Sequence, residues 1–147
     1  MNPALSGLPP FLTTHGGLHS GLMMAQVTAA ALTSELKTLA HPAGADTIPT
    51  SGNKEDHVSM SMSAGLKAQR ALDLAQHVIA IEFLCACQAI DLLAPLTTSP
   101  ALARVHDFIR ARVPTLEHDR STSNDLGVIT EMIASGEVER ACPLKVN

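Results

Sequence analysis

Hydrophobic and polar positions along this chain recur with the period of α-helices, and prolines and glycines separate the helical stretches. Residues 1–17 are loop-like, since three prolines and three glycines interrupt them. A first helix is predicted from about Ser20 to Ala40, because its stretch AQVTAAALTSELK contains good helix formers and no helix breaker. Pro42 ends this helix.

The longest helical pattern follows a loop over residues 41–53, which contains two prolines and two glycines. We predict a helix from near Asp56 to about Leu93, stopped by Pro95, with a length of about 55 Å. A compact domain of this size is only about 30 Å across. The second half of the helix, VIAIEFLCACQAIDLLA, is apolar on nearly every face, which predicts full burial. We therefore expect it to pack against other chains, or against a part of the protein that this sequence lacks.

Two shorter helices are predicted next, from Ser99 to Val113 and from about Ser123 to Arg140. Ser99 precedes a proline and is a typical N-cap, and Ser123 or Asn124 could cap the last helix. Composition agrees with an all-α fold: hydrophobic residues make up 46% of the chain but aromatic residues only 2%, with no Trp and no Tyr. Such small aliphatic side chains suit helix packing better than a β-sandwich. We predict a long-helix bundle in which residues 1–147 form a single segment.

Charge and cysteine content narrow the possible partners and compartment. The net charge is −4 and no basic patch occurs, so we predict no nucleic-acid partner. Charged residues make up 16%, which predicts apolar surface hidden in an assembly. The apolar run over residues 18–34 is short and the run over 71–94 contains ionisable side chains, so we predict no membrane span. Three cysteines and no evident signal peptide favour the cytoplasm.

Glu55, Asp56 and His57 lie together at the predicted start of the long helix. In one interpretation the acids complement the positive end of the helix dipole, and Asp56 or Asn53 caps the helix. In the other, one carboxylate points into a cleft, where it moves a proton or binds a cationic group. The long loop before these residues favours a functional use, and the residues alone leave both interpretations open.

Two spacings resemble metal motifs without predicting a metal site. His15 and His19 are four residues apart, as two ligands on one helix face are, but Gly16 and Gly17 between them make a helix doubtful. Cys85 and Cys87 are two residues apart in a helix, so their side chains point about 200° apart and cannot share a tetrahedral metal. We predict that these cysteines act as small buried hydrophobic side chains.

The stretch HPAGADTIPTSGNKEDHVSM, residues 41–60, closely resembles the histidine ammonia-lyases of the aromatic amino acid ammonia-lyase family. The earlier segments PALSGLPPFL, HGGLHSG and AQVTAAAL are similar to the same family, in the same order. The later segments IEFLCACQAIDL and RVPTLEHDR fit it too, so the resemblance covers nearly the whole chain.

The resemblance implies a fold, a reaction and one site residue. Family members are mainly α-helical homotetramers with a central bundle of long helices, and each active site draws residues from three subunits. They remove ammonia from histidine without oxidation and release trans-urocanate. Their electrophile is 4-methylidene-imidazole-5-one, formed from an internal Ala-Ser-Gly. Glu55 corresponds to the glutamate that lines the substrate pocket, and since relatives that act on phenylalanine carry glutamine there, Glu55 favours histidine.

The chain is much shorter than members of this family and is similar only to their C-terminal portion. The resemblance thus implies that the prosthetic group and the tyrosine base belong to an N-terminal part not found here, and that the chain contains no cofactor of its own. Ala134, Ser135 and Gly136 form an Ala-Ser-Gly, but the family's Gly-rich context and following Asp-Leu-Ala-Pro are absent, so we predict a frayed helix end with Gly136 in a C-cap role.

Two hypotheses follow. In the first, the chain is the C-terminal portion of a histidine ammonia-lyase, inactive alone and active only when joined by a complementary N-terminal lyase chain that carries the electrophile. In the second, it is a non-catalytic helical oligomerisation module, or a truncated remnant that pairs with itself or with a full-length lyase. Lys54, His19 and Leu36 replace the family's usual Gln, Asn and Asn, and Lys54 places a cation beside Glu55 that can compete for it.

Overall fold

The computed structural model describes residues 2–142, and its regular elements are helices. This confirms the predicted all-α class. In chain order the elements are α1 (Pro3–Ser6), a 3₁₀ turn (Pro10–Leu12), α2 (Met23–Leu39), α3 (Ser61–Leu92), α4 (Pro100–Arg110), α5 (Ser123–Ala134) and α6 (Glu137–Ala141). Within residues 2–142 the only β-type pairings are two isolated bridges, one of which lies at the candidate site.

The hydrophobic core lies at the C-terminal half of α3, where α4, α5 and α6 pack around it. Ala80, Ile81, Leu84 and Cys87 face this core from α3. The best-buried side chains of the surrounding segments are Leu22, Ile109, Val113, Ile129 and Met132. Cys85 is half-buried against the same core, and burial raises the pKa of its thiol to about 11, so both cysteines pack as small apolar side chains as predicted.

The N-terminal half of α3 and the C-terminal half of α2 form an antiparallel arm that leaves the core. The first buried residue of α3 is Leu74, thirteen residues into the helix. Beyond the core, Arg70 Nε donates to Glu35 Oε1 at 2.9 Å, and the Lys67 ammonium donates to the carbonyl of His41. Since α3 has 32 residues, it is about 48 Å long, and the loop between α2 and α3 lies at the end of the arm away from the core.

Large apolar side chains along α3 are left uncovered by the rest of the chain. Met62 is 76% exposed, Leu66 61% and Leu72 65%, and Ile79 remains 41% exposed inside the apolar second half. The expectation that this chain cannot cover the long helix by itself is therefore confirmed. In residues 2–142, α3 alone is long and apolar enough to span a membrane, a property that core helices of soluble proteins share.

Several predicted helix ends differ from the structure. The long helix begins at Ser61 rather than near Asp56, because residues 47–58 fold into a hairpin closed by Thr47 and Val58. The last helix is two helices, because Gly136 adopts a left-handed φ of 71° directly after Ser135, the C-cap of α5. Gly136 thus ends the helix as predicted, but the end is not frayed, since α6 follows at once. Neither Ser123 nor Asn124 caps α5. The Ser99 cap of α4 is confirmed, since its Oγ accepts from the Leu102 amide at 3.4 Å.

Asp91 joins α3 to α4 and to the segment that follows α4. Its carboxylate accepts hydrogen bonds from His106 Nε2 at 2.7 Å, Arg110 Nε at 2.9 Å and the Thr115 hydroxyl at 2.8 Å. Burial alone would raise the pKa of Asp91, but the bonds from Thr115 and His106 and the guanidinium of Arg110 outweigh it and lower that pKa below its ordinary value.

We expect this lowered pKa to make stability depend on pH in the acid range. A carboxyl whose folded pKa lies below its unfolded pKa stabilises the fold fully above the unfolded value, and the stabilisation is lost as pH falls through the folded value. Asp91→Asn should therefore flatten the decline in the free energy of unfolding below about pH 4.5. Urea unfolding at pH 3–7 measures this, with the exposed Asp73→Asn as control. Equal slopes in both variants would contradict the role given to Asp91.

Candidate functional site

The segment that carries Glu55 is a closed hairpin, residues 47–58, at the end of the helical arm. Thr47 Oγ1 accepts from the Val58 amide and donates to the Val58 carbonyl, both at 2.8 Å, and so ties the two ends together. Inside this clasp, the amide of Thr50 donates to the carbonyl of Glu55 at 3.0 Å, and the amide of Glu55 donates back at 3.4 Å. These bonds fix Glu55 at a defined place in the hairpin.

Three consecutive left-handed residues close the hairpin and exclude a helix there. Ser51, Gly52 and Asn53 have φ values of 54°, 65° and 66°. Left-handed backbone costs little for glycine and is tolerated by asparagine, which explains the Gly-Asn pair at this turn. The expectation that Glu55, Asp56 and His57 begin the long helix is therefore wrong, and so is the interpretation that Asp56 or Asn53 caps it.

The Glu55 carboxylate is exposed but oriented. Its Oε2 accepts a hydrogen bond from the Thr50 hydroxyl at 2.8 Å, so Thr50 holds both the backbone and the side chain of Glu55. Asp56 and His57 are exposed as well, and the ion pairs among residues 2–142 do not include one between Lys54 and Glu55. An exposed carboxylate can bind a cation or accept a proton, but it gains strength and selectivity only when another surface excludes water from it.

A second polar site joins residues 19–21 to residues 118–119. Asp119 accepts from the amides of Ser20 and Gly21 at 2.8 and 2.9 Å, and these bonds lower the pKa of its carboxyl. Gly21 is required here: its φ is 54°, and a Cβ would lie 2.5 Å from the carbonyl oxygen of Phe11. The loop therefore turns tightly after His19 and brings this imidazole next to Asp119, with 3.9 Å between His19 Nδ1 and Asp119 Oδ2.

Sequence reasoning paired His19 with His15 but missed His118. The ring centres of His15 and His19 are 5.6 Å apart, and His118 lies closer, at 5.3 Å from His19. No local pattern predicts this neighbour, because 99 residues separate the two positions in the chain. The described part of the chain contains no group of three or more His, Cys, Asp and Glu side chains arranged to bind a metal.

An open groove of about 650 Å³ adjoins this second site. It is lined by Met24 and Thr28 of α2 and by the segment from Asp119 to Ser123, and no residue of the Glu55 hairpin takes part. Arg120 stands at its edge, held by Asp125 and by the carbonyl of Pro114. The groove and the Glu55 hairpin are thus separate features of the chain.

The Ala-Ser-Gly of this chain does not fit the imidazolone prosthetic group. A five-membered ring from the tripeptide requires the nitrogen of Gly136 beside the carbonyl carbon of Ala134. That nitrogen instead donates to the Ile133 carbonyl at 3.0 Å, and the Ser135 amide donates to Glu131 at 2.9 Å. Both amides belong to the end of α5, as the prediction of an ordinary helix end required.

Comparison with known sequences gives consistent matches. The family model described as aromatic amino acid lyase matches residues 1–111. Histidine ammonia-lyase of Anaeromyxobacter sp. (strain K) is 49% identical over 139 residues, which are 95% of this chain and 27% of that protein. Histidine ammonia-lyase of Aromatoleum aromaticum is 50% identical over 144 residues, 98% of this chain and 27% of that protein. The chain thus spans about a quarter of the length of these relatives.

Solved structures have the same fold over the matched part. The crystal structure of histidine ammonia-lyase from Trypanosoma cruzi superposes with a TM-score of 0.93 at 46% identity, covering 97% of this chain and 28% of that one. A tyrosine aminomutase from Streptomyces globisporus superposes with a TM-score of 0.90 at 37% identity, covering 95% and 27%. The helical arm and the surrounding core are therefore an arrangement that these proteins contain as a part.

Proposed function

Because this chain belongs to the aromatic amino acid lyase family, we propose that it is the part of a histidine ammonia-lyase that supplies Glu55 to a substrate pocket completed by other polypeptide. The reaction proposed is the non-oxidative deamination of L-histidine to trans-urocanate and ammonia. The two relatives compared by sequence above are named histidine ammonia-lyase, and they match 95% and 98% of this chain at 49–50% identity. The position of Glu55 is the single observation that carries the assignment of its role.

The position of Glu55 supports a pocket that forms only on assembly. It lies at the far end of a helical arm and is exposed, yet its carboxylate is oriented by Thr50. A substrate that carries an imidazole and an ammonium offers two cationic or hydrogen-bonding groups to such a carboxylate. We propose that Glu55 binds one of these groups or accepts a proton from it, once a second surface removes water from the site.

The prosthetic group of the family would come from outside this chain. The one Ala-Ser-Gly of this chain lies at a helix end and does not fit the imidazolone. The chain also contains no tyrosine, the residue type of the family's base. When present, the group supplies an electrophile that activates the substrate for loss of ammonia. The residues of this chain would then bind and orient the substrate and help exclude water, rather than form the electrophile.

We expect the purified chain alone to give no urocanate absorbance from histidine. Activity should appear when the chain replaces its matched segment in the Anaeromyxobacter histidine ammonia-lyase, measured as urocanate formed from histidine. Mixing the chain with the remainder of that enzyme tests whether the pieces also assemble without a covalent link. Urocanate formed by the chain alone, or a folded chimera of native size without activity, would refute the proposed function.

The uncovered apolar face of α3 also supports the alternative, a non-catalytic helical oligomerisation module. Met62, Leu66 and Leu72 are more than half exposed on one helix, and patches of this kind usually mark contact sites. In either hypothesis we propose that a second copy or a complementary lyase chain covers them. The two hypotheses differ in whether the chimera turns over histidine.

Self-association of the chain is therefore expected in sedimentation velocity at micromolar concentration. Leu72→Glu should shift the distribution towards monomer, because a charge at the covered face cannot be buried without cost. Leu96→Glu is the matched control, since Leu96 is similarly exposed at 70% but lies outside α3. The role of α3 would be contradicted if the unaltered chain sediments as a monomer at all concentrations. It would also be contradicted if Leu72→Glu and Leu96→Glu shift the distribution equally.

A further inference from the structure

Two histidines that are distant in sequence face each other through ring nitrogens at the second polar site. His118 Nδ1 lies 3.4 Å from His19 Nε2, and the ring planes are tilted by 59°. His19 is half-buried, with 19% of its side chain exposed, whereas His118 is exposed. The pair joins the loop before α2 to the segment between α4 and α5.

The separation of the two nitrogens fits a long, weak hydrogen bond, and it also fits two ligands of one shared cation. Direct N–H bonds usually place the heavy atoms about 2.7–3.2 Å apart, shorter than the 3.4 Å found here. Two nitrogens bound to one tetrahedral zinc, at about 2.0–2.1 Å each, lie about 3.3 Å apart. Neutral imidazole is also the side chain that zinc-class ions most often take as a ligand.

Asp119 lies beside His19 but does not form a hydrogen bond with its ring in this structure. It lies on the Nδ1 side of His19, at 3.9 Å, which leaves Nε2 facing His118. The amides of Ser20 and Gly21 anchor this carboxylate. A carboxylate that accepts the other ring N–H of a metal-ligating histidine orients that ring and makes it more basic, a role that Asp119 would take if metal binding closes this gap.

We propose that His19 Nε2 and His118 Nδ1 bind a divalent transition ion of the zinc class, with water completing its coordination and Asp119 acting as a positioning residue. This site is independent of the proposed lyase function. The bound ion links the loop before α2 to the segment after α4, which lie 99 residues apart in the chain. His15 is left out of the site, because the ring-nitrogen contact found for His19 is with His118 and not with His15, whose ring centre lies 5.6 Å from that of His19.

The test is titration of the purified metal-free chain with Zn²⁺ in competition with a chromophoric chelator at pH 7.5. We expect one ion per chain at micromolar affinity, and a weakening of about tenfold or more in His19→Asn and in His118→Ala. His41→Ala is the matched control, since His41 is an exposed histidine outside the second polar site, and its affinity should equal that of the unaltered chain. Co²⁺ should give tetrahedral visible absorption bands that both ligand variants lose.

Circular dichroism of the metal-free variants separates lost ligands from lost folding. Asp119→Asn should keep the Co²⁺ bands and the circular dichroism of the metal-free chain but weaken Zn²⁺ binding by about tenfold. Loss of the Co²⁺ bands together with a changed circular dichroism would mean that Asp119 only anchors the loop. The proposal is overturned if the unaltered chain binds no Zn²⁺ beyond the level of the His19→Asn/His118→Ala double variant. It is also overturned if His15→Ala weakens binding more than His118→Ala does.

Discussion

Replacing Gln88 by methionine is expected to lower the free energy of unfolding by about 3 kcal/mol, because the change leaves buried backbone groups without partners. Gln88 is only 3% exposed, in the core half of α3. Its Nε2 donates to the carbonyl of Leu116 at 3.0 Å, and its Oε1 accepts from the amide of Leu116 at 3.0 Å. A longer bond of 3.4 Å reaches the carbonyl of Leu12.

The size of this effect follows from what remains after the amide is removed. Methionine keeps nearly the volume of glutamine, so the cost does not come from a cavity. The amide and carbonyl of Leu116 stay in the core, since Leu116 is 8% exposed, and each loses its partner. An unpaired buried backbone group costs about 1–3 kcal/mol, whereas removing both partners of a bond can be nearly neutral.

Urea unfolding at a fixed protein concentration measures the change, since self-association would shift the midpoint with concentration. Gln69→Met is the matched control: Gln69 lies on the same helix but is exposed, and the change there should stay within about 0.5 kcal/mol. A loss of stability equal to that of the control would mean that Leu116 finds other partners, and that Gln88 does not fasten the segment after α4 to the core.

The sequence predicts the helices well, because their signals are local. Helical periodicity and proline positions place α2, α3 and α4 to within a few residues, and the Ser99 cap is present as expected. The uncovered surface of α3 also follows from the sequence, since a helix of this length and apolarity exceeds what the remaining residues can cover.

The start of α3 was predicted five residues too early because a tertiary clasp overrides local propensity. Thr47 and Val58 bind each other across eleven positions, and Thr50 pairs with Glu55 inside that clasp. Such pairings depend on the turn at 51–53, whose Gly-Asn chemistry is visible in the sequence but compatible with many loops. The same limit explains why His118 was missed beside His19: periodicity carries no information about contacts between distant segments.

Replacing Glu55 by glutamine in the chimeric lyase is expected to reduce kcat/KM for histidine by about a hundredfold or more, the range for loss of a positioned acid–base or charged binding group. Glutamine keeps the shape of the side chain, and the Thr50 hydroxyl can still donate to its amide oxygen. The change therefore removes the negative charge and the proton-accepting capacity while leaving the hairpin intact.

The division of the loss between kcat and KM identifies the role of Glu55. A rise in KM at constant kcat indicates binding of the imidazole or ammonium group, and a fall in kcat indicates proton transfer. The resemblance implies that relatives acting on phenylalanine typically carry glutamine at this position, so the same variant should raise the ratio of phenylalanine to histidine turnover, measured as cinnamate against urocanate. Asp56→Asn is the control, because Asp56 is an exposed acid in the same hairpin that lacks the bond to Thr50.

Thr50→Val gives an intermediate case that tests orientation apart from charge. It keeps the Glu55 carboxylate but removes the hydroxyl that holds Oε2. We therefore expect a smaller decrease in kcat/KM for histidine than in Glu55→Gln, of about tenfold. Unchanged histidine turnover in Glu55→Gln, in a chimera that is otherwise active, would separate the two parts of the proposal. The chain would still complete a histidine ammonia-lyase, but the acid at the end of the arm would not act on its substrate.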